Sequence, residues 1–292
     1  MDDESAWALA YAAELGAPVE AGSPVRWVTT ESGARLALCG DVVLKLHHER
    51  TVERELAVRL AAAHSPHLAE LVVPPLVVEP GHARAGRLVS AWPRVEVLSP
   101  DDPVMPWAEA GTLLARLHSV PVPPVPALPA HGGVARLLRA ARRAQGPGWP
   151  TVLRDLGERL VTDVGKARGR HTDRPVTVVH GDWHLGQLAR TAEGWRLVDL
   201  DDLGVGDPAW DLARPAGFWA AGLLDDASWE ELLGAYRGAR GPGVPESGDP
   251  WPAIDLPARC AVFVAAVREL RRQVEGHSSD TADALLAACA RM

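Results

Sequence analysis

The fold is decided by residues 176–212, which read VTVVHGDWHLGQLARTAEGWRLVDLDDLGVGDPAWDL. The apolar residues 176–179 are typical of a buried strand. This strand ends at the tripeptide His-Gly-Asp, residues 180–182, where glycine allows a tight backbone. Residues 195–198 predict a second short strand, and Asp199 follows it directly. The sequence therefore predicts two short adjacent strands that each lead to an aspartate.

An amide side chain lies between these two aspartates. Gln187 follows Asp182 by five residues, and Asp199 follows Gln187 by twelve. Carboxylate and amide oxygens are the ligands that Mg²⁺ prefers, and a carboxylate can also act as a general base. The pattern therefore indicates a divalent-metal site next to a general base.

A zinc site is an alternative interpretation of the same loop. His180, Asp182 and His184 form an H-x-D-x-H pattern that places three possible zinc ligands close together. Such a site would suit a metal hydrolase. It would leave Asp199 and the later run GDPAWDLA without a role.

The spacing H-x-D-x-x-x-x-[N/Q], then about a dozen residues that end in two apolar residues and Asp, resembles the catalytic loop and metal-binding Asp of the protein-kinase superfamily. The runs HGD and VDLDDLGVGDPAWDLA are similar to the aminoglycoside phosphotransferase family, which includes choline-kinase-like enzymes. The resemblance implies an α+β, two-lobed protein-kinase-like fold. Residues 1–92 would form a small nucleotide-binding lobe with an antiparallel sheet, and residues 93–292 a larger, mainly helical lobe for catalysis and substrate binding.

The resemblance also implies roles for individual residues. Asp182 corresponds to the catalytic Asp, Gln187 and Asp199 to the metal ligands, and Asp211 to a buried helix Asp that braces the catalytic loop. Most of the family has Asn where this chain has Gln187. The run HLGQ, with His184, resembles the maltokinase and glucosamine-kinase branch, but that branch lacks GDPAWDLA, so the motif does not identify the acceptor.

The N-terminal region carries the elements expected of a nucleotide-binding lobe. The pattern predicts a helix over residues 4–16, three strands within residues 25–46 and a helix over 51–63. By the resemblance, Lys45 in the third strand contacts the α- and β-phosphates of ATP. Glu55 in the following helix holds Lys45 by an ion pair, and Glu53 competes for that role.

Four further residues are candidates for contact with ATP. The turn at Ser32 and Gly33 offers backbone N–H groups that can meet phosphate oxygens, although an ordinary hairpin turn fits that stretch nearly as well. By the resemblance, the adenine would bond backbone groups near Ser90 to Arg94, and Trp92 could form a wall beside its ring. A core position for Trp92 is the alternative.

The remaining sequence predicts mostly helices. Residues 70–79 and 87–92 are predicted as strands, with Pro74-Pro75 marking an edge or a bulge in the first. Apolar periodicity predicts the other helices. They cover residues 106–118, 134–143, 152–166, 210–224, 228–236, 257–274 and 278–292.

Composition excludes several classes of protein. The chain has 292 residues, 47% of them hydrophobic, and a net charge of −8, which gives a nucleic-acid partner no support. No apolar run is long enough to span a membrane. The three scattered cysteines suggest buried thiols in a reducing compartment. The acidic N-terminus lacks the basic residues of a signal peptide, so a cytoplasmic location is expected.

The sequence thus predicts an ATP- and Mg²⁺-dependent kinase, monomeric or dimeric, that phosphorylates a hydroxyl of a small molecule. An aminoglycoside or amino sugar is favoured, because eleven acidic residues against three arginines between residues 182 and 231 could attract a cation. A solvated helix face explains part of that excess equally well. The alternatives are a neutral-sugar or choline-type kinase and a nucleotide-binding regulator without turnover.

Overall fold

An antiparallel sheet forms around the predicted lysine strand. The computed structural model describes residues 2–20, 22–30, 33–83, 86–99, 101–122, 127–169, 174–277 and 281–292. The sheet runs in the order β1-β2-β3-β5-β4, and every neighbouring pair is antiparallel. Its strands are β1 (Arg26–Thr29), β2 (Arg35–Cys39), β3 (Val42–Leu46), β4 (Gly81–His82) and β5 (Leu88–Pro93). Lys45 lies in the central strand β3, opposite Leu36 of β2 and Ser90 of β5.

Two helices cover this sheet. Helix α1 (Asp3–Glu14) begins at Asp2, whose carboxylate accepts a hydrogen bond of 2.7 Å from the Ser5 amide. Its small and apolar face packs with Leu44 and Leu46 of the sheet in one core. Helix α2 (Glu53–Ala63) contributes Leu56 and Leu60 to a smaller cluster. These elements confirm the predicted order of helix, three strands and helix.

A second, three-stranded sheet was only partly predicted. It pairs β6 (Glu96–Val97), β8 (Leu188–Thr191) and β9 (Gly194–Leu197) in the order β6-β8-β9. The predicted strand over residues 70–79 is wrong. In that segment Val72 forms an isolated parallel bridge with Leu197, and Pro74-Pro75 offers no N–H groups to continue a ladder.

The chain divides into two compact units. The first unit contains residues 1–100, 123–128 and 186–201, and the second contains 101–122, 129–185 and 202–292. Residues 186–201, which carry the predicted metal ligands Gln187 and Asp199, therefore belong to the first unit. The predicted lobe boundary after residue 92 stays a prediction.

The second unit is mainly helical. A core of apolar side chains joins α4, α5, α8 and α9, with Phe263 and Leu153 fully buried. A two-stranded antiparallel ladder pairs β7 (Thr177–Val179) with β10 (Gly204–Gly206). The helices are α3 (Trp107–His118), α4 (Gly133–Ala144), α5 (Thr151–Gly169), α6 (Ala209–Ala220), α7 (Asp226–Gly238), α8 (Trp251–Val274) and α9 (Ala282–Ala290).

Helix α8 begins two turns before its predicted start at Pro257. Proline is typical of a first helical turn, but Pro257 here lies inside the helix. The helix begins instead at Trp251, whose amide donates 2.9 Å to the carboxylate of Asp249.

In the described part of the chain, no helix is long and apolar enough to cross a membrane. The three cysteines are buried free thiols, as predicted.

Candidate active site

The loop after β7 is fixed by a buried aspartate on α6. Asp211 accepts hydrogen bonds from the amides of His180, at 2.7 Å, and Gly181, at 2.8 Å. Gly181 has a φ of +84°, and a Cβ there would lie 2.3 Å from the carbonyl oxygen of Asp202. Glycine is required on both counts. The predicted bracing of the loop by Asp211 is confirmed.

Asp211 is itself held by a buried network. His118, at the end of α3, approaches Asp211 with Nε2 at 3.0 Å and the Tyr236 hydroxyl with Nδ1 at 2.7 Å. The Gly243 amide donates 2.8 Å to that hydroxyl. Burial opposes ionisation of Asp211, but the hydrogen bonds from His118 and Gly181 outweigh it and lower the pKa of Asp211. The brace is therefore a charged acceptor, and His118 has a structural position beside it.

We expect Tyr236→Phe to destabilise the protein by about 1–3 kcal/mol, because it leaves Nδ1 of His118 and the buried Gly243 amide without a hydrogen-bond partner. Urea unfolding measures the effect. Tyr11→Phe is the matched control, because within the described residues the Tyr11 hydroxyl makes no hydrogen bond, and we expect it to change stability by under about 0.5 kcal/mol. Equal losses in both variants would show that the network does not stabilise the fold.

The predicted catalytic residue, Asp182, is partly buried beside an arginine. Arg136 of α4 places Nη1 3.2 Å from Asp182 Oδ2. The same guanidinium donates short hydrogen bonds to the Asp202 carboxylate and the Gly181 carbonyl oxygen. Burial raises the pKa of Asp182, and Arg136 acts in the opposite direction. The sequence pattern around Asp182 gives no indication of Arg136, which comes from a helix 46 residues earlier.

In the first unit, Lys45 lies between two aspartates. Its ammonium is 2.5 Å from Asp199 Oδ1 and 2.9 Å from Asp201 Oδ2. Burial disfavours the charged ammonium, but the two carboxylates outweigh it and raise the pKa of Lys45. The pKa of Asp201 is lowered, because Lys45 and His47 outweigh the effect of burial. Asp201 was not among the predicted site residues, although the run DLDD at residues 199–202 placed it close to Asp199.

Gln187 lies beside Asp199. Its Nε2 is 3.4 Å from Asp199 Oδ2, and only 7% of Gln187 is exposed. Asp199 has a φ of +61°, in the left-handed region that non-glycine residues rarely adopt, and such strain clusters at functional sites. If the Gln187 amide is flipped, its oxygen takes the position of Nε2 and lies beside the Asp199 carboxylate as a second, neutral oxygen donor. The pair thus fits the oxygen donors expected for a magnesium site.

The strands that precede Asp182 and Asp199 were predicted to be adjacent, but they have different pairing partners. Strand β7, before Asp182, pairs with β10, whereas β9, before Asp199, pairs with β8. The two strands therefore belong to different sheets, and the prediction of adjacent strands is wrong. Asp182 belongs to the second unit, and Lys45, Gln187 and Asp199 lie together in the first.

The predicted ion pair between Lys45 and Glu55 is absent among the described residues. Glu55 faces outward from α2, with 47% of its side chain exposed, and lies 3.3 Å from Arg59 one turn later. Glu53 lies 3.6 Å from His82. Leu56 and Leu60 are the residues of α2 that face the core. The error is one of helix phase, which short sequence patterns define poorly.

We expect Asp201→Asn to lower kcat/KM by about 10–100-fold, because it removes one of the two charges that orient Lys45. Glu55→Gln is the matched control. Its carboxylate is half exposed to solvent, so the pair with Arg59 is worth at most about 1 kcal/mol and we expect under about a fivefold change. Steady-state kinetics of both variants measure the difference. A larger loss for Glu55→Gln would restore Glu55 as the functional partner of Lys45.

The four candidates for ATP contact differ in their surroundings. Ser32 lies outside the described residues. The Gly33 amide donates 3.0 Å to the Thr30 carbonyl oxygen and is thus already engaged, as in a hairpin turn. Ser90 is buried inside β5, and its hydroxyl contacts His47 Nε2 at 2.7 Å and Trp92 Nε1 at 2.8 Å. The side chain of Ser90 is therefore committed within the protein.

Trp92 lies partly buried against the cluster of α2, which agrees with the core alternative for this residue. The contact of adenine with backbone groups near Ser90 stays a prediction.

The zinc interpretation gains no support. In the part of the chain that the structure describes, no group of three or more His, Cys, Asp and Glu side chains could hold a metal ion. Burial and Arg214 lower the pKa of His184 to about 2, so its imidazole is neutral.

Comparison with known proteins gives a consistent result. A sequence model of the phosphotransferase enzyme family matches residues 17–251. Among solved structures, amicoumacin kinase in complex with AMP-PNP, Ca²⁺ and Ami has a TM-score of 0.64 at 16% identity, over 99% of this chain and 92% of that chain. A choline kinase from Streptococcus pneumoniae has a TM-score of 0.62 at 10% identity, over 92% and 94% of the two chains.

An aminoglycoside phosphotransferase from Streptomyces rimosus has a TM-score of 0.59 at 21% identity, over 92% of this chain and 99% of that chain. At these identities the likeness shows the fold, which is the α+β protein-kinase-like fold predicted from the sequence.

Proposed function

Because the chain belongs to the phosphotransferase enzyme family and is a small-molecule kinase, we propose that it transfers the γ-phosphate of ATP to a hydroxyl of an aminoglycoside or amino sugar. The observation that carries the proposal is the buried Lys45 held by Asp199 and Asp201, with Gln187 beside Asp199. A lysine fixed among carboxylates next to an amide oxygen is suited to polyphosphate and a divalent cation.

Each of these side chains has a distinct task in the proposed reaction. The ammonium of Lys45 binds phosphate oxygens and keeps its charge because its aspartate partners raise its pKa. Asp199 and Gln187 hold Mg²⁺, which neutralises charge on the phosphates when bound. The strained backbone at Asp199 presets the direction of its carboxylate before the cation arrives.

Asp182 acts on the acceptor. Its carboxylate orients the acceptor hydroxyl and takes its proton as the phosphoryl group is transferred. The position of the loop that carries Asp182 is fixed, because the Asp211 carboxylate accepts hydrogen bonds from the amides of His180 and Gly181. Positioning of this kind supplies much of the catalysis in phosphoryl transfer, where little covalent chemistry is required of the protein.

The acidic residues after Asp182 give less support to a cationic acceptor than their number suggested. Most of them have partners within the protein or cap a helix. Asp202 pairs with Arg136 and Asp207 with Arg174, and Asp225 caps the start of α7. The preference for an aminated acceptor is supported instead by the amicoumacin and aminoglycoside kinases among the structural neighbours.

The decisive experiment is an acceptor panel read by ADP formation, with an aminoglycoside, an amino sugar, a neutral sugar and choline. We expect the largest kcat/KM with one of the two aminated sugars. A larger value for choline or the neutral sugar would replace the proposed acceptor class with that of the other kinases. Nucleotide binding without ADP formation for any acceptor would favour a regulator without turnover.

A further inference from the structure

Arg136 holds three groups of the catalytic loop region at once. Its guanidinium contacts the carboxylates of Asp182 and Asp202 and the carbonyl oxygen of Gly181. Its side chain is largely buried, with 21% exposed. A guanidinium presents its N–H donors in a rigid fork, so several fixed acceptors define its position. The same fork then defines the position of the Asp182 carboxylate.

The helix that carries Arg136 is fixed to the same region. Its first turn follows Gly132, whose amide donates 3.2 Å to the carbonyl oxygen of Asp202. A Cβ on Gly132 would lie 1.7 Å from Asp202 Oδ1, so any side chain there would displace the Asp202 carboxylate. The Arg136 amide donates to the Gly132 carbonyl oxygen at 2.9 Å. Backbone and side chain contacts thus join the start of α4 to Asp202, independently of Asp182.

Four charged or titratable side chains act on the Asp182 carboxylate, and they lie on different elements. Arg136 lies on α4, Asp202 follows β9, Arg214 lies on α6, and His180 belongs to the same loop. Asp202 disfavours a second negative charge close by, whereas the two arginines favour it. Arg136 is the cation seen in direct contact with the Asp182 carboxylate.

We propose that Arg136 is a positioning residue that orients the Asp182 carboxylate and stabilises its negative charge by direct contact. This inference rests on the proposed role of Asp182 as the base that receives the hydroxyl proton. It assigns to α4 a part in the reaction that extends beyond packing. Asp202 has the complementary part, because it shares the guanidinium and limits how strongly Arg136 acts on Asp182.

The pH profile of kcat/KM tests the inference, because activity falls at low pH as Asp182 becomes protonated. Removal of the cation in Arg136→Gln raises the pKa of Asp182, so we expect the acidic limb to move to higher pH by about one unit. Asp202→Asn removes an anion, so the limb is expected to move to lower pH. Arg136→Lys retains the charge and loses the fork, so kcat is expected to fall with the limb near its wild-type position.

The control is Arg142→Gln, on the exposed side of the same helix, which should leave the profile unchanged. A purely structural Arg136 would give lower rates in all three variants with an unmoved acidic limb, and that result overturns the inference. If Arg136→Gln does not fold, the other two variants still decide: the acidic limb is expected to move to lower pH in Asp202→Asn and to stay in place, with a lower kcat, in Arg136→Lys. Full activity of Asp182→Asn would instead contradict the proposed role of Asp182, so the two failures are distinguishable.

Discussion

Asp182→Asn is expected to reduce phosphoryl transfer by at least about 10²–10⁴-fold, the usual contribution of a general base. The substitution keeps the shape of the side chain but removes its ability to accept a proton. It also removes the charge that pairs with Arg136 at 3.2 Å. ADP formation with the best acceptor of the panel measures the loss in kcat.

Nucleotide binding should survive this substitution. The residues proposed to hold the phosphates and the cation, Lys45, Gln187 and Asp199, belong to the first compact unit, whereas Asp182 belongs to the second. We therefore expect a nucleotide Kd within about threefold of wild type, since little direct binding energy is lost. Calorimetric titration with a non-hydrolysable ATP analogue measures it.

The exposed Asp283 of α9 provides the control, because Asp283→Asn removes the same charge far along the chain from the loop. Both rate and binding should stay at wild-type values in this variant. An Asp182→Asn protein with wild-type kcat would exclude Asp182 as the base. A protein that loses nucleotide binding and turnover together would show that Asp182 acts through binding.

The sequence predicted the elements that depend on local patterns. The strand with Lys45, its neighbours and most helices were predicted correctly, because each has a continuous apolar periodicity. Asp211 was predicted correctly because the motif GDPAWDLA places it on the first turn of a helix. The short strands β4, β6, β8 and β10 were missed. The four residues Leu188–Thr191 carry Arg190 and Thr191 and show no clear alternation.

The partners of the site residues could not be predicted, because they depend on contacts between distant segments. Arg136 reaches the loop from 46 residues away, and no periodicity in α4 distinguishes it from the other arginines of that helix. Whether Glu55 or Glu53 would face Lys45 depended on the rotation of α2 about its axis, and the structure pairs Lys45 with neither of them but with Asp199 and Asp201. A rotation of one residue, about 100°, turns a charged side chain from the core to solvent.

Asp199→Asn is expected to cause the second large loss, of several kcal/mol in transition-state stabilisation, which is two or more powers of ten in kcat. The carboxylate pairs with Lys45 at 2.5 Å, and in the proposed reaction it also ligates the cation. Asparagine is the sharper substitution here, because it tolerates the left-handed φ of +61° that alanine would strain. The loss then reports the missing charge and not an altered backbone.

The variants of Gln187 complete the test, because they change a neutral ligand instead of a charged one. Gln187→Ala removes one oxygen and should raise the Mg²⁺ concentration for half-maximal rate, with a smaller loss of kcat than Asp199→Asn, since a carboxylate binds the cation more strongly than an amide. Gln187→Asn supplies the same oxygen from a shorter stem and should retain partial activity. The measurement is the Mg²⁺ dependence of kcat in all three variants. An unchanged rate and Mg²⁺ requirement in Gln187→Ala would remove Gln187 from the metal site and leave its contact with Asp199 as a packing contact alone.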